Sequence, residues 1–275
     1  MSWEVDAEHP YKYGPGGFCP IKVGDRIANR FLVLHKLGYG GFATVWLARD
    51  EKRRHSRYVA LKVVSADWYQ DAKFQSTEVV DPLRGYERGN GSPGLFILEL
   101  ERVFHTSRNG DHLCQVFPVL GPALASLNTS DFRLYPSFVR TFAQQLAHAL
   151  DTMHALGVCH GDFTLNNIAI HLADSLDSLT EKQLDQIFGL PQIQTLEFFF
   201  PESHHLHPNT SLLCIIDFDH AFCVKNAPKQ LSHVPHQYLA PENIFTLTNG
   251  PPADVWALGC IFAVLSSRNV SATTE

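Results

Sequence analysis

No two cysteines in this 275-residue chain stand at Cys-x-x-Cys spacing. The six present, Cys19, Cys114, Cys159, Cys214, Cys223 and Cys260, form no tight framework, and several sit in apolar runs where a thiol behaves as a small core residue. This excludes a disulfide-stapled secreted scaffold and favours a reducing compartment. Long hydrophobic runs are also missing. The longest, Val255–Leu265, is far too short for a membrane span and suits a buried helix. The opening residues lack the basic-then-apolar layout of a signal peptide. An excess of positive charge is absent too: the formal net charge is −6, and the densest basic run, Lys52-Arg53-Arg54, reads as a solvated hairpin tip, so no direct nucleic-acid contact is expected. His204-His205-Leu206-His207 has no Cys or carboxylate partner at ligand spacing and reads as a polar loop. The expectation is a soluble, monomeric protein with no membrane contact, located inside the cell in cytoplasm, nucleus or both.

What is present belongs to a globular chain: 45% hydrophobic and 18% charged residues, enough for one large domain or two lobes with their own cores. Residues 1–29 are rich in Pro and Gly and are expected to lie extended over the surface. Strand-like patterning then begins: Phe31-Leu32-Val33-Leu34, Thr44–Ala48 and Tyr58–Val64. Between the first two lies Leu37-Gly38-Tyr39-Gly40-Gly41-Phe42-Ala43. A glycine-rich turn joining strand to strand, rather than strand to helix, argues against a dinucleotide-binding crossover. Lys62 follows on a strand whose neighbours Leu61 and Val63 predict inside/outside alternation. Glu78 is the best-placed carboxylate to pair with it, with Asp81 and Glu87 as rivals. Pro82 is expected to end that helix one turn after Glu78, since an interior proline costs about 3 kcal/mol.

Leu95–Phe104, the turn Asn109-Gly110, and His112–Phe117 predict a hairpin, followed by the connector Pro118-Val119-Leu120-Gly121-Pro122. Phe138, Phe142, Leu146, Leu150 and Met153 recur at helical spacing, with Pro136 before them and Gly157 after. That stripe is core and leads into His160-Gly161-Asp162, with Asn167 five residues beyond the Asp. Residues 172–210 form an insertion containing a capped short helix near Ser178–Leu184. Leu212–Ile216 is a buried strand leading to Asp217-Phe218-Asp219. One carboxylate can accept a hydroxyl proton, while an Asn and a second carboxylate can hold magnesium. This is the polar set that phosphoryl transfer requires.

The order of glycine flap, strand lysine, His-x-Asp loop, Asp-Phe-x, Ala240-Pro241-Glu242 and Asp254-x-Trp256 resembles the eukaryotic protein kinases. Within them the chain is similar to the serine/arginine-rich splicing-factor kinases, particularly their short fungal relatives. The residues that carry this are Tyr13-Gly-Pro-Gly-Gly-Phe, Val23-Gly24-Asp25, the run from Leu37 to Ala48, and Val116-Phe117 with Leu120-Gly121. The resemblance implies an α+β, two-lobed fold: an extended segment 1–29, a mainly antiparallel-sheet N-lobe at 30–117, a hinge at 118–124, and a helical C-lobe at 125–275 that lacks its last helices. It implies ATP and Mg²⁺ as cofactors and a protein substrate of the Arg/Ser-rich class. Leu37, Gly38, Tyr39, Gly40, Gly41, Phe42, Ala43, Thr44 and Val45 would cover the nucleotide. Val45 and Ala60 would sandwich adenine from above and Ala169 would floor it, Pro118 and Leu120 would offer backbone groups to it, and Lys62 would hold phosphates. Asp162 would act as base, with Asn167 and Asp217 on the metal. By the same resemblance, His160 is a structural ring under Phe218, and Asp254 braces the loop.

Three residues depart from the family pattern. Gly161 stands where an arginine is usual, which implies activity independent of activation-segment phosphorylation at Ser232. Thr164 replaces a lysine, and Asp219 replaces the glycine of Asp-Phe-Gly. Two other functions are compatible with parts of the pattern. A small-molecule kinase of the aminoglycoside phosphotransferase type would explain His160-Gly161-Asp162 but not Ala240-Pro241-Glu242. A truncated pseudokinase acting as a scaffold would explain the short C-lobe.

Overall fold

The computed structural model describes residues 8–55, 57–71, 77–89, 94–127, 136–172, 176–188, 213–229, 234–246 and 248–267. Ser232, His204–His207 and all of the insertion except residues 172 and 176–188 lie outside the described residues. In chain order the strands are β1 (Arg26–Ile27), β2 (Phe31–Tyr39), β3 (Ala43–Asp50), β4 (Tyr58–Val64), β5 (Glu101–Ser107), β6 (Gly110–Pro118), β7 (Val158–Cys159), β8 (Ile168–Ile170), β9 (Leu213–Ile215) and β10 (Phe222–Cys223). The helices are α1 (Ala66–Asp71), α2 (Thr77–Gly89), α3 (Pro136–Ala155), α4 (Glu181–Phe188), α5 (Pro241–Phe245) and α6 (Pro251–Ser267). The mixed α+β composition and the antiparallel sheet are those the sequence implies. No helix among the described residues is long and apolar enough to cross a membrane.

The chain divides into two compact units, neither contiguous in sequence. The first takes residues 1–73, 99–119 and 174–190. Its six-stranded antiparallel sheet runs β1-β2-β3-β4-β6-β5. Period-two alternation in β4 sends Leu61 and Val63, both 0% exposed, into an apolar cluster with Phe31, Val33 and Trp46. The opposite face then carries Ala60 and Lys62, half-buried. An ion network closes one end of the sheet. Arg30 grips Asp50 through two bonds of 2.8 and 2.7 Å and reaches Glu101 at 2.6 Å. Burial alone would raise the Asp50 pKa, but the hydrogen bonds from Arg30 and from the Lys52 amide hold it below the usual carboxylate range.

The N-terminal stretch does not simply lie extended over the surface. Pro10–Tyr13 forms a 3₁₀ turn, and Phe18 and Cys19 are buried. Asn109, at the tip of the β5–β6 hairpin, ties this segment down: its Nδ2 donates to the carbonyls of Tyr13 and Phe18, each at 2.7 Å. Burying Phe18 requires its backbone to find partners, and Asn109 supplies one. The Asn109-Gly110 turn falls as expected, with Gly110 at φ 127°. The first half of the expected strand Leu95–Phe104 is not part of the hairpin, because β5 begins only at Glu101. The short helix in the insertion is α4. Thr180 caps it, accepting from the Gln183 amide at 3.3 Å while Gln183 Oε1 accepts from the Thr180 amide at 2.9 Å.

The second unit takes residues 74–98, 120–173 and 191–275. Its core is the predicted α3 stripe, in which Phe142, Leu146 and Met153 are each 0% exposed and pack with Ile168, Ile215 and Ile261. The residues Leu95 and Ile97 pair with β9: Ile97 N–H donates to the Ile215 carbonyl at 2.9 Å and Ile215 N–H to the Leu95 carbonyl at 2.8 Å. Pro82 does not end its helix: α2 continues from Thr77 to Gly89 through it. The helix begins only five residues earlier, so the proline forfeits one early hydrogen bond, and buried Val79, Val80 and Leu83 hold the helix in place. The apolar helix expected at Val255–Leu265 is α6; it buries Ala257, Ile261 and Leu265 while Val255 and Trp256 remain exposed.

Candidate active site

In the first unit, Gly38–Gly41 is the tip of the β2–β3 hairpin, where Gly40 N–H donates to the Ala43 carbonyl at 2.8 Å. A Cβ added to Gly38, Gly40 or Gly41 would meet nothing within 4 Å, so the backbone on that side is open to a ligand. Leu37 is half-buried in β2, while Tyr39 and Phe42 are exposed. The Phe42 ring stacks on Trp68 of α1 with centroids 3.7 Å apart, fixing the hairpin tip to a helix of its own unit. Register places Val45 opposite Lys62 and Lys62 opposite Gln115, with Ala60 opposite Phe117 and Val59 opposite Pro118. Cross-strand partners share a face, so Val45, Ala60, Lys62, Gln115 and Phe117 lie on one side of the sheet. Ala43 and Thr44 are buried at the start of β3.

The same face brings in a carboxylate that sequence reading missed. Gln115 Nε2 donates to Glu99 Oε2 at 2.8 Å, and the Glu99 side chain is only 10% exposed. Glu99 therefore sits on the Lys62 side of the sheet, one residue away across the ladder. Glu78, the partner expected for Lys62, is exposed in the second unit and accepts from Asn226 Nδ2 at 2.8 Å. Its rival Glu87 accepts the Phe96 amide at 2.7 Å, and burial raises its pKa above the ordinary value. Asp81 is exposed on the same helix.

The second unit assembles the His-x-Asp loop. Gly157, at φ 77°, ends α3, and β7 carries the chain into Asp162. His160 is fully buried. Its Nε2 donates to the Ile216 carbonyl at 3.0 Å and its Nδ1 accepts the Asp162 amide at 3.3 Å, which fixes one neutral tautomer. Its ring lies 5.2 Å from that of Phe218, and Phe218 in turn makes an edge contact with Phe96. The imidazole is thus a structural spacer with no nitrogen left for proton transfer. Asp254 accepts the His160 amide at 2.9 Å, the Gly161 amide at 3.1 Å and His154 Nε2 at 3.0 Å, bracing the loop from α6.

Asp162 and Asn167 are joined directly. Asn167 Nδ2 donates to the Asp162 carbonyl at 2.8 Å and to its Oδ2 at 2.9 Å. Both are acceptor-only oxygens, so the amide nitrogen must face them, and the Asn167 amide oxygen is directed elsewhere. Asp162 Oδ1 is buried with no hydrogen-bond partner. Burial raises the Asp162 pKa above its ordinary value. The Asn167 bond pulls it back, and the nearby Asp217 charge pushes it up again. Asp217 sits at the end of β9 in the left-handed region, φ 60° and ψ 67°. Asn167 and Asp217 fit a hard divalent cation: an amide oxygen and a carboxylate are among the donors such ions take. Ala169 is buried in β8 beside the bridge to Ala123, and the half-buried Leu120 lies just before Gly121, whose amide donates to the Ile170 carbonyl at 2.8 Å.

Comparison with known proteins agrees with this geometry. The family described as protein kinase domain matches residues 31–274. Serine/threonine-protein kinase spk-1 of Caenorhabditis briggsae is 34% identical over 174 residues, which is 62% of this chain and 15% of that protein. Protein kinase dsk1 of Schizosaccharomyces pombe is 38% identical over 169 residues, 59% of this chain and 30% of that protein. SRSF protein kinase 3 of Mus musculus is 32% identical over 176 residues, 62% of this chain and 31% of that protein. The matched stretches thus span 15% to 31% of the length of these relatives.

Proposed function

Because this chain belongs to the protein kinase family, whose members use ATP and a divalent metal, we propose that it transfers the γ-phosphate of ATP to a serine or threonine hydroxyl of a protein. The observation that carries this reading is the Asp162–Asn167 pair with the unpartnered Asp162 Oδ1. That oxygen would orient the acceptor hydroxyl and take its proton, and burial makes it a better base than an exposed carboxylate. Asn167 and Asp217 would hold the metal, for which we propose Mg²⁺. Bound there, it would neutralise charge building on the phosphate oxygens. Lys62 would bind the nucleotide phosphates, and the open backbone at Gly38–Gly41 would cover them. In the first unit, Val45 and Ala60 would contact adenine and the Pro118 carbonyl would offer it a hydrogen bond; in the second unit, the groups that would serve the nucleotide are Ala169 and the Leu120 amide.

The family named by the relatives makes an Arg/Ser-rich protein the first substrate class to test. The net charge of −6 is compatible with a basic partner. The test is γ-phosphate transfer from ATP to a mixed protein fraction, to an Arg/Ser-rich peptide and to an amino sugar, run in parallel. Phosphoserine or phosphothreonine in the protein arms supports the reading. Transfer to the amino sugar alone would replace it with a small-molecule kinase.

A further inference from the structure

A second polar cluster lies behind the catalytic loop, away from the Asp162–Asn167 pair. His154 from the last turn of α3, Cys159 from β7 and Asp254 from α6 each offer one donor atom, and these atoms all lie within 4.8 Å of one another. His154 Nε2 and Asp254 Oδ2 are 3.0 Å apart. We propose that these three side chains form a binding site for a soft divalent metal of the zinc class, independent of the metal that phosphoryl transfer requires.

Donor chemistry, spacing and charge argue for it together. Thiolate, imidazole and carboxylate are the ligands zinc takes, whereas magnesium and calcium prefer oxygen alone. Zinc bond lengths with a tetrahedral angle place donor atoms about 3.3–3.6 Å apart. The three atoms come within roughly an ångström of that spacing before any side chain moves. A thiolate and a carboxylate carry two negative charges, which cancel those of a divalent ion, so the occupied site would be neutral. That matters where the Asp254 side chain is only 4% exposed and Cys159 is fully buried. His154, at 15% exposure, opens the site toward solvent and provides the route of entry.

Binding would proceed with a definite proton balance. The Cys159 thiol, whose pKa burial pushes up to about 12, gives up its proton to solvent as the metal bonds the sulfur. His154 now donates through Nε2 to Asp254; the metal takes the place of that proton, which moves to Nδ1. Asp254 Oδ1 keeps the Gly161 amide, while the metal shares Oδ2 with the His160 amide, so the Gly161 half of the loop brace is untouched and α3, β7 and α6 gain a link. One proton is released per metal bound. The fourth coordination position falls to water.

Cobalt(II) titration of the full chain tests this, because a cobalt–thiolate bond gives a charge-transfer absorption that oxygen and nitrogen ligands do not. The expected result is one equivalent bound with that absorption, its displacement by Zn²⁺, and a Zn²⁺-dependent rise in melting temperature. Cys159→Ala should abolish the absorption and weaken binding by more than the roughly 10–100-fold that losing an outer-sphere partner costs. Cys223→Ser should leave it unchanged within about twofold, since Cys223 lies on the paired strand outside the cluster. The melting curve of each metal-free variant shows that it is folded. Absence of thiolate absorption in the wild-type chain overturns the proposal. So does unchanged binding in Cys159→Ala, which would put the metal at another site such as His204–His207.

Discussion

A Cβ built on Gly161 would lie 2.6 Å from the carbonyl oxygen of His220, and the Phe222 ring closes the same space at 3.2 Å. Gly161 also holds φ 75°, where a side chain is strained. Gly161 is therefore more than the absence of an arginine, since the segment after Asp217 packs into the room a side chain would need. Restoring the family's arginine should fail. Gly161→Arg and Gly161→Ala should each lose about 1–2 kcal/mol from the left-handed backbone alone, with a further loss from displacing His220. Thermal melting of both variants checks this, and equal stability would show that the segment moves aside freely.

Asp254 offers its two oxygens to three donors, so replacing it with Asn sets an amide N–H against a backbone N–H. Hydrogen bonds to a charged acceptor contribute about 1.5–3 kcal/mol each, and an unsatisfied buried donor adds to the loss. Asp254→Asn should destabilise the chain by about 2–4 kcal/mol and slow transfer. Denaturant unfolding and a transfer assay measure the two effects separately.

Glu99 and Glu78 make opposite predictions as partners of Lys62. Glu99 lies within the first unit on the Lys62 face, its Oε2 bonded to the residue opposite Lys62 in the ladder and its Oε1 paired with Arg102 at 2.5 Å. Glu78 is exposed and committed to Asn226. Glu99→Gln should therefore raise the KM for ATP more than Glu78→Gln does. Steady-state kinetics of the two variants decides between them, and the reverse order would restore Glu78.

His112 makes stability depend on pH. It is 0% exposed, donates from Nδ1 to the Val64 carbonyl at 2.9 Å, and holds Ser107 at Nε2 at 2.8 Å. Burial lowers its pKa below the ordinary 6.5. The unfolded chain thus takes up a proton before the folded one does, so this contribution is intact above pH 6.5 and is lost as pH falls through the lowered value. The melting temperature should drop on acidification across that window, and His112→Gln should flatten the slope.

Much of this was legible in the sequence because it depends on short-range pattern. Alternation around Lys62 placed Leu61 and Val63 in the core, and the five-residue stripe from Phe138 to Met153 fixed α3. The His160-Gly161-Asp162 spacing brought Asn167 onto Asp162, since five residues of loop return the chain on itself. What was not legible depends on distant partners. Phe18 is buried where Asn109, 91 residues later, donates to its carbonyl. Pro82 survives inside α2 because Val79 and Leu83 are buried, which local propensity does not register. Glu99 fell inside the expected strand Leu95–Phe104 and stood out from no other polar residue there until the ladder put Gln115 beside it.

In the proposed reaction, Asp162 acts on the acceptor hydroxyl while Asn167 and Asp217 hold the metal. Single-turnover transfer and nucleotide binding, measured on the chain beside Asp162→Asn and Asp217→Asn, test it directly. The account predicts that Asp162→Asn binds Mg-ATP within about twofold of the parent and slows transfer by about 10²–10⁴. Asp217→Asn should lose the magnesium dependence of nucleotide binding. Transfer by Asp162→Asn at the parental rate would contradict it.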